Sequence, residues 1–168
     1  MSDIADPNQP ETGTAIPTAD PRAEAEIEQI EGDFEASGPL VGIIMGSKND
    51  MEKMLPAEKY LSEQGIDSET HVMSAHRDPE KVRDYCMNAR ARGLKVIIAG
   101  AGMSAALPGV AAAHTDLPVI GVPILGKSLG GLDALLSAVQ MPPGIPVACV
   151  AIDGAKNAGV LAARIINA

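Results

Sequence analysis

Tryptophan is absent from this chain of 168 residues, and two tyrosines and one phenylalanine are its whole aromatic content. A core must therefore be built from Ala, Val, Ile, Leu and Met, and the aromatic rings that often sandwich a flavin are lacking. Cysteine is scarce as well. Cys86 and Cys149 have no metal or redox spacing and read as small core residues in a reducing compartment. No apolar run reaches the roughly 18 to 20 residues of a membrane span. The N-terminus shows no basic region followed by an apolar one, so no secretory signal is read and the expected location is cytoplasmic. Histidine is limited to positions 71, 76 and 114. No His, Cys or carboxylate grouping has metal-ligand spacing, and no Ser-His-acid set is legible.

A basic excess is missing too. The formal charge is −9, yet residues 39–168 carry twelve acids and twelve bases. Residues 1–38 carry ten acids and one arginine, which accounts for all of it. That segment is rich in Pro, Thr and Glu and poor in apolar residues, so it is expected to be a disordered, solubilising acidic extension. Ile27, Ile30 and Phe34 fall at helical spacing, which leaves a short amphipathic helix or interaction arm as the alternative. A neutral body with an acidic tail argues against a nucleic-acid partner. The remaining 39–168 are enough for one domain with a substantial core, and the 46% hydrophobic content supports a folded one.

What is present is a regular alternation. Apolar strands read "LVGIIM", "SETHVMS", "KVIIAG", "LPVIGVPI" and "IPVACVAI", with helix-like stretches over 49–64, 78–92, 103–114, 130–139 and 155–167. Asp78 followed by Pro79 is a good helix start, and Asn49 or Asp50 suits the cap of the first helix. Near-continuous Val and Ile runs belong to strands buried on both faces, as in a parallel sheet covered by helices. The pattern predicts a three-layer α/β sandwich, with a flavodoxin-like five-stranded parallel sheet in the order 2-1-3-4-5. Ligands in such sheets bind beyond the carboxyl ends of the strands, near the switch in strand order. The segments expected there are "GSKND", "SAHRD", "AGAGMSAALPG", "LGKSLGG" and "DGAKNAG", which hold nearly all the Gly, Ser and unusual polar residues of the body.

Each of these has a functional and a plain reading. Gly46 and Ser47 at a helix start attract anions through free N–H groups, and Asp50 suits the donor hydroxyls of a ribose. Ordinary helix capping explains the same residues. Gly100, Ala101 and Gly102 allow close approach to the backbone, but no Walker loop and no dinucleotide spacing is present. An imidazole such as His76 both gives and takes protons, and Arg77 beside it offers a fork of donors for phosphate or carboxylate. By spacing alone, His76 reads more readily as a bystander in a strand-end loop than as a catalyst. His71, alternating within a strand, and His114, closing a helix where a cation complements the dipole, fit that plain reading better.

Taken in order, "GIIMGSKND", "SAHRDPEKV", "VIIAGAGMSAALPGV", "LPVIGVPI", "GGLDALLSAVQMPPGIPVA" and "GAKNAGVLAARI" resemble the 5-(carboxyamino)imidazole ribonucleotide mutase family of de novo purine synthesis. The likeness spans residues 41–166 and implies the flavodoxin-like fold. It implies an isomerase that moves a carboxylate from the exocyclic nitrogen of an aminoimidazole ribonucleotide to ring carbon 4. CO2 is the intermediate, and neither metal, ATP nor another cofactor takes part. By the resemblance His76 is the general acid/base. Ser47 and Arg77 hold the 5′-phosphate, Asp50 holds the ribose hydroxyls, and Ser74, Ala101 and Gly102 bound the imidazole and CO2 pocket. It further implies a homo-octamer with active sites between subunits.

The third loop departs from the family. Where these mutases usually read "AGAGGAAHLPG", this chain has Met103, Ser104 and Ala106, so the second histidine is missing. Asn49 replaces the second serine of the usual first loop, and the likeness ends without the further C-terminal helix common among the mutases. A related class carboxylates aminoimidazole ribonucleotide directly with CO2 and shows "AGRSN" at the third loop, which is absent here too. Direct carboxylation and a non-catalytic nucleotide-binding module of the same fold are therefore the alternatives to the mutase.

Overall fold

In a computed structural model of the protein, which describes residues 38–168, five parallel strands form one sheet in the order β2-β1-β3-β4-β5. They are β1 (Val41–Met45), β2 (Ser68–Val72), β3 (Val96–Gly102), β4 (Val119–Ile124) and β5 (Ala148–Cys149). Five helices alternate with them: α1 (Met51–Glu63), α2 (Pro79–Met87), α3 (Leu107–Ala113), α4 (Leu132–Val139) and α5 (Ala155–Ile166). The predicted order and layering hold. The acidic extension assigned to residues 1–38, with Ile27, Ile30 and Phe34, lies outside the described residues except for its last position.

Period-2 alternation of the strands explains the layers. Val41, Ile43 and Met45 of β1 point to one face with Val96 and Ile98 of β3, where α1 and α5 cover them through Met54, Leu61, Ala158 and Ala162. Ile44, Ile97 and Ala99 point to the other, under Val82 and Cys86 of α2, Leu107 and Ala111 of α3, and Ala134 of α4. Burial of one such Ile or Leu side chain contributes about 1.5–3 kcal/mol. The apolar layers therefore outweigh the surface ion pairs in holding the fold. Small residues set the spacing: a Cβ at Gly159 of α5 would lie 2.9 Å from the carbonyl oxygen of Ala57 in α1. Cys86 is fully enclosed, as its sequence context implies, and burial raises its thiol pKa to about 11.

Several boundaries differ from those expected, for local reasons. The helix read over 103–114 begins only at Leu107, because β3 continues through Gly102, Met103 turns at φ 56°, and Pro108 belongs in a first helical turn. The helix read over 78–92 stops at Met87, and residues 90–92 form a separate tight turn ending at Gly93 with φ 90°. Residues 48–50 likewise form a short turn before α1, and Ser47 caps it by accepting from the Asn49 N–H at 3.2 Å. Asp50 and Asp78 occupy cap positions, but neither side chain makes a capping hydrogen bond. The strand read in "IPVACVAI" pairs over two residues only, at an edge with one neighbour.

Candidate active site

Strand register brings the loops together. Met45 stands opposite both Val72 and Gly100, and Gly102 stands opposite Ile124. The chain thus leaves β1, β2, β3 and β4 at nearly one level, on the carboxyl side of the sheet. Hydrogen bonds from Gly46 N–H to Gly100 O (3.1 Å) and from Met73 N–H to Met45 O (2.9 Å) carry the pairing into the loops. Above them lies a cleft of about 790 Å³. Its lining includes Ser47, Asp50, Ser74, His76, Arg77, Ala101 and Gly102, every site residue expected from the sequence. His71 and His114 lie outside it: His71 is on β2 beside Glu69, and His114 follows α3 with its Nδ1 2.9 Å from Val110 O.

The His-Arg pair sits on a tight turn. Ser74, buried at 6% exposure, accepts the Arg77 N–H on its Oγ at 3.3 Å, while its carbonyl accepts the Asp78 N–H at 2.8 Å. The chain then enters α2 at Pro79, so His76 stands exposed at the apex, in the cleft. Arg77 folds back, its Nη2 donating to the Gly46 carbonyl at 2.7 Å. Opposite, the Asp50 carboxyl lies above the usual carboxylate range. Burial raises its pKa, and the Ser47 backbone N–H and the Arg77 charge only partly offset that. A carboxylate short of donors in a part-enclosed site is suited to a ligand diol.

The third loop is organised differently from its sequence reading. Gly100 is needed for packing, because a Cβ there would run into the Met54 thioether of α1. Ala101 and Gly102 do face the cleft, together with Met103, Ser104 and Ala106. Met103 is 69% exposed and adopts φ 56°, a conformation that disfavours side chains and that a glycine takes freely.

Lys53 had not been singled out, and the loop after β4 was expected here only as the segment "LGKSLGG". Lys53 stands one helical turn beyond Asp50, and the loop after β4 adds Leu125, Gly126, Lys127 and Ser128. A pairing at i, i+3 from Asp50 was the available signal for Lys53. Lys53 Nζ lies 2.6 Å from Asp153 Oδ2, and the Leu125 N–H donates to Asp153 Oδ1 at 3.0 Å. Partial burial opposes ionisation of Asp153, but the Leu125 N–H and the Lys53 ammonium outweigh it and hold its pKa low. Three cations, Lys53, Arg77 and Lys127, against Asp50 and the Asp153 paired with Lys53 leave the cleft a small positive balance that suits a phosphorylated ligand. Among the described residues no group of three or more His, Cys, Asp and Glu side chains is placed to hold a metal ion. No helix among them is long and apolar enough to cross a membrane.

Known proteins match this chain closely. Residues 40–168 fit the family profile described as AIR carboxylase. A Pyrococcus abyssi protein named N5-carboxyaminoimidazole ribonucleotide mutase is 60% identical over 129 residues, 77% of this chain and 74% of the relative. A Schizosaccharomyces pombe protein named phosphoribosylaminoimidazole carboxylase is 55% identical over 128 residues, 76% of this chain but 23% of that longer protein. The crystal structure of Treponema denticola PurE superposes with a TM-score of 0.69 at 35% identity, covering 77% of this chain and 80% of that one. On the profile match and the identity to these relatives, the chain belongs to the AIR carboxylase family.

Proposed function

We propose that this chain is an N5-carboxyaminoimidazole ribonucleotide mutase, moving the substrate carboxylate from the exocyclic nitrogen to ring carbon 4. One observation carries the reading. Ser47, Asp50, Ser74, His76, Arg77, Ala101 and Gly102 converge on one positively balanced cleft, in a chain 60% identical to a relative of that name. In this reading Ser47 and Arg77 take the 5′-phosphate, and Asp50 accepts from the ribose hydroxyls. The aminoimidazole then lies over Ala101 and Gly102, near His76.

The chemistry needs one proton carrier and a place for CO2. The N–carboxylate bond breaks, CO2 leaves, and His76 delivers a proton to the exocyclic nitrogen. Carbon 4, made nucleophilic by the amino group, attacks the retained CO2 and forms the new C–C bond. The carbon-4 proton passes to His76, which restores both the aromatic ring and the starting state of the imidazole. Ala101, Met103, Ala106 and Ile124 give that end of the cleft an apolar wall, suited to holding neutral CO2. With alanine at position 106, His76 carries both proton transfers alone.

Direct carboxylation of aminoimidazole ribonucleotide is the second reading, favoured by the family description and the name of the Schizosaccharomyces pombe relative. Incubating the purified protein with each substrate, without ATP, separates the two. Turnover of the carboxyamino compound is expected. Turnover of aminoimidazole ribonucleotide with bicarbonate alone establishes the second reading instead.

The catalytic unit in this proposal is residues 39–168, and deleting 1–38 leaves turnover unchanged. The proposed assembly is a cytoplasmic homo-octamer. Exposed Leu129, Leu132, Leu136 and Val139 along α4 and the turn before it support burial between copies. A monomer by sedimentation at assay concentration contradicts that assembly.

A further inference from the structure

A residue outside the cleft holds two of its walls together. Asp153 lies between β5 and α5 and is not among the lining residues. Its Oδ2 takes the Lys53 ammonium at 2.6 Å, and its Oδ1 takes the Leu125 N–H at 3.0 Å. Lys53 stands on the first turn of α1 beside Asp50, and Leu125 opens the loop after β4; both face the cleft. The carboxylate is in turn held by its own backbone, since the Asp153 N–H donates to the Pro123 carbonyl at 2.8 Å.

The loop it fastens has little else to fix it. Leu125, Lys127 and Ser128 are exposed, and a Cβ on Gly126 would lie 3.9 Å from Met103 Cγ. The 125–128 loop thus passes close to Met103 of the third loop. A segment with few buried contacts opens locally unless a specific bond closes it. The ion pair is too exposed to supply that by itself, with side-chain exposures of 43% for Lys53 and 25% for Asp153. The directional bond to the Leu125 N–H supplies a specific tie at the start of the loop.

We infer that Asp153 is a positioning residue for the carboxyl-transfer reaction: it anchors the start of the Leu125–Ser128 wall to the junction of β5 and α5 and so sets the width of the cleft around the substrate. The inference rests on the function proposed above and assigns Asp153 no contact with the reacting atoms.

Three full-length proteins test it: wild type, Asp153→Ala and Asp153→Asn. The asparagine keeps an oxygen that accepts from Leu125 but loses the charge. In the alanine variant, amide exchange at residues 125–128 is expected to rise about tenfold or more. KM for the carboxyamino ribonucleotide is expected to rise about tenfold, with kcat within about threefold of wild type. The asparagine variant is expected to return both exchange and KM to within about threefold. Asp153 holds φ 56°, which strains an alanine but not a glycine, so Asp153→Gly, which removes the carboxylate without that strain, is expected to show the same changes as alanine and stands in for it should alanine not fold.

Unchanged exchange, unchanged KM despite faster exchange, or an asparagine variant as impaired as alanine each overturn the role of Asp153. Wild-type protein that turns over neither ribonucleotide removes the proposed function itself. Normal wild-type turnover with an unaltered alanine variant removes only the positioning role.

Discussion

The Arg77 guanidinium donates to the carbonyl oxygen of Gly46 at 2.7 Å, joining residues 31 apart in sequence across the carboxyl ends of β2 and β1. This bond joins the turn that carries His76 to the loop that carries Ser47 and Asp50, while the turn itself is held by the Ser74 bonds to the Arg77 and Asp78 N–H groups. His76 and the Ser47–Asp50 loop are thereby held in one frame by a side chain that still lies on the cleft surface.

Arg77→Ala is expected to weaken substrate binding far more than turnover of bound substrate. A lost hydrogen bond to a charged group costs about 1.5–3 kcal/mol, so KM should rise roughly ten- to hundredfold with kcat little changed. Arg77→Lys is expected to recover little, because a single ammonium cannot serve Gly46 and a phosphate with the geometry of a guanidinium fork. Steady-state kinetics on both variants checks this, and a normal KM in Arg77→Ala contradicts it.

Asp50 links binding to stability with a definite sign. Its pKa is raised in the folded protein, chiefly by burial. Below its ordinary value of 3.8 the group is protonated in both states and has no effect on folding. As pH rises through the folded pKa, the unfolded chain ionises more readily and stability is lost. Asp50→Asn should therefore melt higher than wild type at neutral pH, with the difference vanishing as pH falls below that value. The same variant should raise KM by roughly tenfold or more, because one of the two carboxylate oxygens becomes an amide donor that cannot accept from the second ribose hydroxyl. Thermal melts across pH, paired with kinetics, test the two halves separately.

Met103 holds φ 56° where a glycine bears no steric penalty. Left-handed backbone costs a side chain about 1–2 kcal/mol, and the greater freedom of glycine in the unfolded chain offsets part of that. Met103→Gly is expected to stabilise the protein by about 0.5–1 kcal/mol, read as a higher denaturation midpoint. A lower midpoint would show that the exposed thioether makes a contact worth more than the strain.

Much of this site was legible because parallel strands force it to be. "LVGIIM" and "KVIIAG" read as doubly buried strands, and once the order 2-1-3-4-5 is inferred, the segments after them must share one edge. That places His76 and Arg77 beside Ser47 and Asp50 without any coordinates. What stayed hidden depends on tertiary geometry. Gly100 looked like an opening for a ligand, but Met54 from α1 fills the space where its side chain would be. The late start of α3 turns on the left-handed backbone at Met103, and a composition rich in Ala and Met does not reveal it. The bond between Lys53 and Asp153 spans 100 residues, so no local pattern announces it. Its one trace was that Asp153 opens, and Lys53 flanks, a segment already expected at the carboxyl edge.

The most direct measurement follows one carbon atom. Purified protein is given the carboxyamino ribonucleotide with a 13C-labelled carboxylate, in buffer holding unlabelled bicarbonate and no ATP, and the product is examined by carbon NMR. The expected result is a product whose carboxylate on ring carbon 4 carries the label, formed by the wild type and not by a folded, substrate-binding His76→Asn variant. An unlabelled carboxylate on carbon 4, or undiminished product from His76→Asn, would contradict transfer of the substrate's own carboxylate by a cleft that depends on His76.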